Sequence, residues 1–164
     1  MAVFEHADRS DNFHKIARES AVSVEDFATE PVRALFSWWQ SFGCTAPQYS
    51  DFDVSDHWKI APHLYVIQYL APGKYLYRLN GEQVVEIIGV SKRGQKITRK
   101  DSLLENRLLA EYMDFLVEDN ACRRCYGTLA LFGKNYLEFE SVDCPVTNSQ
   151  GDIEFIIGAI STLD

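Results

Sequence analysis

An α+β fold, with an antiparallel sheet and helices set between pairs of strands, is the expectation for this chain of 164 residues. Three observations carry it. Two β-rich runs, His63–Leu70 and Lys74–Leu79, flank the turn Ala71-Pro-Gly73 and read as a hairpin. A helical stripe of Leu104, Leu108, Tyr112, Phe115 and Leu116 follows it. The last third is again β, with runs at Ala121–Phe132, Tyr136–Cys144 and Ile153–Leu163.

Residues 1–28 are mixed and acidic and read as an N-terminal extension, partly helical or disordered, with a short helix over Asn12–Ser20. Residues 29–164 read as one domain, because no linker or repeat divides them. Thr29-Glu-Pro31 has the marks of a helix start: a capping hydroxyl, an early acid and a proline in the first turn. The helix that follows carries a broad apolar stripe of Val32, Leu35, Phe36 and Trp39, widened by Trp38 and Phe42 and ended by Gly43. Cys44–Ala61 reads as loop. Val84, Val85, Ile87 and Ile88 have helical spacing, but their β-branching suits a strand equally, so pattern alone leaves 81–88 open. Asn80 and Gln83 could cap such a helix, with Gly89 ending it. Ser91–Lys100 is a basic loop, and Ser102 with Glu105 makes a capping box for the helix behind it. In the second hairpin, pairing around Gly133-Lys-Asn135 sets Thr128 opposite Phe139, Ala130 opposite Leu137 and Arg124 opposite Asp143.

The formal net charge of −8 disfavours nucleic acid and anionic membrane surfaces as partners. Met1–Phe13 lacks the apolar run of a secretory signal, and no stretch approaches the roughly 18 apolar residues of a membrane helix. A cytoplasmic protein with Cys44, Cys122, Cys125 and Cys144 as reduced thiols is therefore expected.

The stretch Tyr75-Leu-Tyr-Arg-Leu-Asn-Gly-Glu-Gln-Val-Val-Glu-Ile-Ile-Gly89, followed by Gly94-Gln-Lys-Ile97, resembles the signature of the PAS-like domain family of alphaproteobacteria first catalogued as a domain of unknown function. Upstream, Leu35-Phe-Ser-Trp-Trp39 and Ala61-Pro-His-Leu-Tyr-Val66 resemble its lead-in. Downstream, Tyr136-Leu-Glu-Phe-Glu140, Cys144-Pro145 and Gly151-Asp-Ile153 resemble its close. The resemblance implies a five-stranded antiparallel sheet covered on one face by helices, with 81–88 as a short helix and a small cavity between the layers. It also implies a sensory or signalling module. With no output domain in view, such a module would act through a partner protein.

A small molecule in that cavity would be lined by Tyr75, Tyr77, Val84, Ile88, Tyr112, Leu116, Tyr126, Thr128 and Phe139. The bland alternative makes these ordinary core, and the chain a ligand-free interaction module. A homodimer would then form through Leu35, Trp38, Trp39 and Phe42. Haem-binding relatives carry a histidine on the long helix, and residues 103–118 have none, which disfavours haem. A LOV-type flavin needs a cysteine in an Asn-Cys-Arg-Phe-like setting, which is also missing. Cys122-Arg-Arg-Cys125 falls on a predicted strand, where i and i+3 face opposite ways, so structural thiols are favoured over metal or redox chemistry. His57 and His63 read as loop side chains, and the cations of 92–100 as a solvated loop rather than a phosphate site. No acid–base pair or nucleophile elbow stands out, so the expectation is a protein that is not an enzyme.

Overall fold

The computed structural model describes residues 16–43, 45–129 and 134–163. The strands are β1 (Ala17–Ser20), β2 (Leu64–Ala71), β3 (Lys74–Asn80), β4 (Lys96–Thr98), β5 (Arg123–Leu129), β6 (Lys134–Thr147) and β7 (Ile153–Leu163). The helices are α1 (Glu30–Gln40), α2 (Glu82–Ile88) and α3 (Leu104–Asp119). All strands join one antiparallel sheet in the order β1-β5-β6-β7-β2-β3-β4. The five central strands are those the sequence predicts, and the sheet gains β4 at one edge and β1 at the other. Ala17–Ser20 is thus a strand rather than the end of a helix. Residues 12–15 and Cys44 lie outside the described residues. Among the described residues no helix is long and apolar enough to cross a membrane.

The sheet is covered on both faces, not one. On the first face, Tyr65, Ile67, Tyr75, Tyr77, Ile156 and Ile160 pack against Val84 and Ile87 of α2 and Ala110, Met113 and Leu116 of α3. On the second, Leu64, Val66, Val142, Cys144, Val146, Ile157 and Ala159 pack against Val32, Leu35 and Phe36 of α1 and against Phe27. Double cover explains why Phe139–Thr147 and Ile156–Ser161 are buried at every position instead of alternating.

Helix ends differ from their sequence signals. Thr29 makes no cap bond with its side chain. Instead Glu140, fully buried on β6, accepts from the Ala28 N–H at 3.0 Å, the Thr29 N–H at 2.6 Å and the Thr29 hydroxyl. A carboxylate from the sheet therefore sits at the positive end of α1. The Ser102/Glu105 box does not form. α3 starts at Leu104, and Asp101 Oδ1 accepts the Leu103 N–H at 2.9 Å. The buried stripe of α3 runs through Asn106, Ala110, Met113, Asp114 and Leu116, which leaves Phe115 exposed beneath the Arg123 guanidinium. Asp114 fastens three elements together: it accepts from the Gly73 N–H at 2.7 Å and the Tyr75 hydroxyl at 2.6 Å, and pairs with Arg99. α2 is the helix implied by the resemblance, and Gly89 closes it at φ 92°, a left-handed position that suits glycine. Neither Asn80 nor Gln83 caps it; Gly81 is its N-cap.

The β5–β6 register is one residue off the expectation. Gly127 faces Phe139 and Arg123 faces Asp143, with a bulge after Thr128. Arg124 sits opposite Val142 and pairs with Glu19 of β1 at 2.7 Å. A slip of one reverses which side chains share a face with the partner strand. Ala130 and Gly133, used in the expected pairing, lie outside the described residues.

Candidate functional site

A cavity of about 120 Å³ lies between the first sheet face and helices α2 and α3. Its walls are mainly apolar, from Val84, Ile88, Leu109, Met113, Phe139 and Ile160. Tyr77 and Tyr112 also line it, so Tyr77, Val84, Ile88, Tyr112 and Phe139 of the predicted set come together here. Tyr75 and Leu116 are buried in the same core but do not line the cavity. Tyr126 and Thr128 do not line it either. The true register sets them beside Glu140 and Glu138, on the α1 side of the sheet, where Arg124 covers the Tyr126 ring at 4.1 Å.

The polar groups are organised by one row across the sheet. Arg123 on β5 pairs with Asp143 on β6, Asp143 with Gly158 on β7, Gly158 with Tyr65 on β2, and Tyr65 with Asn80 on β3. Paired residues of antiparallel strands point to the same face, so this row lies along the cavity floor. The Tyr65 ring lies flat over Gly158, where a Cβ would overlap it, and its hydroxyl reaches Asp143 Oδ1. Asp143 Oδ2 accepts from the Tyr112 hydroxyl of α3 at 2.7 Å. The Tyr112 oxygen in turn accepts from the Cys125 thiol at 3.2 Å. Arg18 of β1 stands beside this cluster, its guanidinium 5.6 Å from the Tyr112 ring centre. Asn80, three strands away from Asp143 and so about 14 Å along the row, also lines the cavity. Its Nδ2 and Oδ1 are both buried with no hydrogen-bond partner among the described residues.

Burial dominates the electrostatics. It pushes the Asp143 carboxyl above its ordinary value, against the opposing pull of the two tyrosine hydrogen bonds and Arg18. Tyr65, Tyr77 and Tyr112 are raised by burial and by the Asp143 charge. Cys125 is pushed up to about 12 by burial and then by Asp143. Burial lowers Arg18. Because folding raises the Asp143 pKa, its protonated form is the one the fold favours. Stability from this group is then fullest below the unfolded carboxyl value of about 4 and is lost as pH rises through the raised folded value. Urea midpoints measured from pH 4 to 8 should show wild type losing ground to Asp143→Asn as pH climbs. A gap that stays constant, or moves in favour of wild type, would contradict this assignment.

Sequence reasoning missed Ile16, Arg18, Asn80, Lys92, Cys125, Ser141, Asp143 and other lining residues. Strand alternation from Phe139 would have found Ser141 and Asp143, and the correct register Cys125. Nothing in the Ile16–Arg18 segment signals an edge strand. Cys122 and Cys125 are buried in the cores on opposite faces of the sheet, Cys122 hydrogen-bonded with Cys144. His57 stacks on Phe52, and His63 Nδ1 lies 3.0 Å from the Ile160 carbonyl. Of the expected dimer residues, Leu35 is buried in the chain's own core and Trp39 donates to the Pro145 carbonyl at 2.8 Å. Trp38 packs edge-on to Phe42 and Phe52, and Phe42 is exposed. Within the basic loop, Lys92 donates to Asn106 Oδ1 at 3.2 Å. Among the described residues, no three His, Cys, Asp or Glu side chains gather as a metal site.

No curated protein matches the chain. One similar solved structure is entitled "Structure of an RNA-binding Light-Oxygen-Voltage Receptor"; it is 11% identical with a TM-score of 0.45, and the match covers 91% of this chain but only 38% of that one. A family model described as "PAS domain" matches residues 27–161. That span takes in both cores and all of the cavity except what β1 and its approach contribute, and with it the chain belongs to the PAS domain family.

Proposed function

We propose that this PAS domain is a sensory module that binds a small molecule in the cavity between the sheet and helices α2 and α3, and acts through a partner protein. The observation that carries the reading is the cavity itself: apolar walls with a few polar groups delivered by separate strands suit small-molecule recognition. In this reading the chain is a binding module rather than an enzyme, works in the cytoplasm, and engages neither nucleic acid nor membrane surfaces. The charge of −8 supports that last exclusion.

Native mass spectrometry, an absorption spectrum and a thermal-shift panel on the purified protein test it. A ligand at a hundred times its dissociation constant stabilises by about 2.7 kcal/mol, which raises Tm by roughly 5–10 °C in a domain of this size. Val84→Trp, which fills the cavity, should abolish that shift. Only apo mass, no added absorption and no shift across the panel would overturn the proposal. A homodimer through the end of α1 is a second reading, favoured by the exposed Phe42 beside Trp38. Light scattering of Phe42→Glu beside wild type decides it, because an unchanged mass removes that interface.

A further inference from the structure

Tyr77 lines the cavity, is only 6% exposed, and has a hydroxyl with no hydrogen-bond partner among the described residues. Buried tyrosine hydroxyls usually find a partner, and an unmet polar group in a native interior calls for water or a ligand. The neighbouring hydroxyls and thiol are engaged. Tyr65 and Tyr112 both donate to Asp143, Cys125 donates to Tyr112, and Ser141 is hydrogen-bonded with Cys125. Arg18 donates to the Ile16 carbonyl at 2.9 Å, and Lys92 donates to Asn106. The Asn80 amide also lacks partners, but its atoms are sealed from any molecule in the cavity. The Tyr77 oxygen is not sealed in this way. It is therefore the hydroxyl that the cavity presents to a guest.

We propose that the ligand is a small, uncharged and largely apolar ketone or aldehyde whose carbonyl oxygen accepts a hydrogen bond from the Tyr77 hydroxyl. The donor count sets this class. A tyrosine hydroxyl has one hydrogen to give, and a carbonyl brings an acceptor with no donor of its own to satisfy. A ligand hydroxyl or amine would need a further acceptor, and each Asp143 oxygen already takes a hydroxyl. Charge argues for a neutral guest. The Asp143 charge is felt at Tyr77, where it adds to burial in raising the hydroxyl's pKa. The group therefore keeps its proton, and an anion beside it would be repelled. Size agrees as well. A volume of about 120 Å³ accommodates roughly ten non-hydrogen atoms at one per water-sized site. The walls from Val84, Ile88, Met113 and Phe139 suit an apolar body. The Tyr77 backbone also holds the basic loop: its N–H donates to the Gln95 carbonyl at 3.0 Å and its carbonyl accepts from the Gly94 N–H at 2.8 Å. A ligand on the hydroxyl thus shares one anchor with that loop. This inference rests on the small-molecule reading above and specifies its ligand.

The test titrates the full chain with three probes of one planar shape: acetophenone, α-methylstyrene, in which a methylene replaces the carbonyl oxygen, and benzoate, which carries a charge. Acetophenone should bind wild type at least tenfold more tightly than either of the others. Its carbonyl stretch should move to lower wavenumber on binding. Tyr77→Phe should erase both the preference and the extra shift while keeping α-methylstyrene binding, and Val84→Trp should abolish all three. Because the lost oxygen bonds to nothing in the protein, the urea midpoint of unliganded Tyr77→Phe should match wild type. A clearly lower midpoint would mean that the hydroxyl already has a structural partner, and would overturn the assignment. So would equal binding of acetophenone and α-methylstyrene, tighter binding of benzoate, or a preference that survives Tyr77→Phe. Each of those binding results leaves the small-molecule reading standing, whereas no binding of any probe removes both. The wild-type comparison is decisive even if Tyr77→Phe fails to fold.

Discussion

Replacing Glu140 with alanine should cost about 3–5 kcal/mol of unfolding free energy, since it removes a charged acceptor and strands the backbone donors that it serves. The three donors, from Ala28 and Thr29, stand at the entrance to α1, and Glu140 is 1% exposed. Thr29 spends its own hydroxyl on the same carboxylate and makes no cap bond with it. Glu140→Gln keeps the volume and one acceptor oxygen but loses the charge that complements the helix dipole, so it should recover about half of the loss. Urea unfolding read by tryptophan fluorescence is well placed to see this, as Trp38 and Trp39 ride on α1. A fluorescence transition in Glu140→Ala that precedes the far-ultraviolet dichroism change would mean α1 leaves the sheet first. A loss below about 1 kcal/mol would refute the anchoring role.

Gly158→Ala is the second large effect, at about 2–4 kcal/mol, through overpacking and a lost buried hydrogen bond. The added methyl would occupy the space of the Tyr65 ring, which crosses Gly158 to reach Asp143. Tyr65 must then lift off, and among the described hydroxyls only that of Tyr112 still donates to Asp143, at its far oxygen. A double-mutant cycle separates this cause from simple strain in β7. In a Tyr65→Ala background the methyl meets no ring, so Gly158→Ala should cost at least about 1 kcal/mol less than in wild type. Strict additivity would mean that the ring is not what the methyl meets.

Much of the architecture was legible because local chemistry and global fold agree. The Pro72-Gly73 turn between aromatic strands, the Gly89 helix end and the Asn148–Asp152 turn each specify their own geometry. The misreadings share a cause, namely partners distant in sequence. Thr29 has every mark of an N-cap, yet Glu140, more than a hundred positions away, supplies the acceptor. Ala17–Ser20 is too short and polar to declare itself a strand, and becomes one only against β5. The register of β5 on β6 turned on a bulge at Thr128/Leu129 that no composition signals. That single residue moved Tyr126 and Thr128 out of the predicted cavity and brought Cys125 into it, whereas Asp143 shares the face of Phe139 in either register. Half of the candidate site was readable as helix and strand faces; Cys125 depended on that register, and Arg18 on the pairing of β1 with β5.

The position of β7 between β6 and β2 has a consequence for how the chain is made. The hairpin of β2 with β3 and the hairpin of β5 with β6 are each local, but neither touches the other along the sheet. The strand that joins them is the last to emerge from the ribosome, Ile153–Leu163. Until it is synthesised, the nascent chain holds two separate sheet fragments with open edges, and the row from Asn80 to Arg123 does not exist. Completion of the sheet, and of the cavity floor with it, therefore waits for β7 and closes contacts about ninety residues apart, the class of contact that sets slow folding.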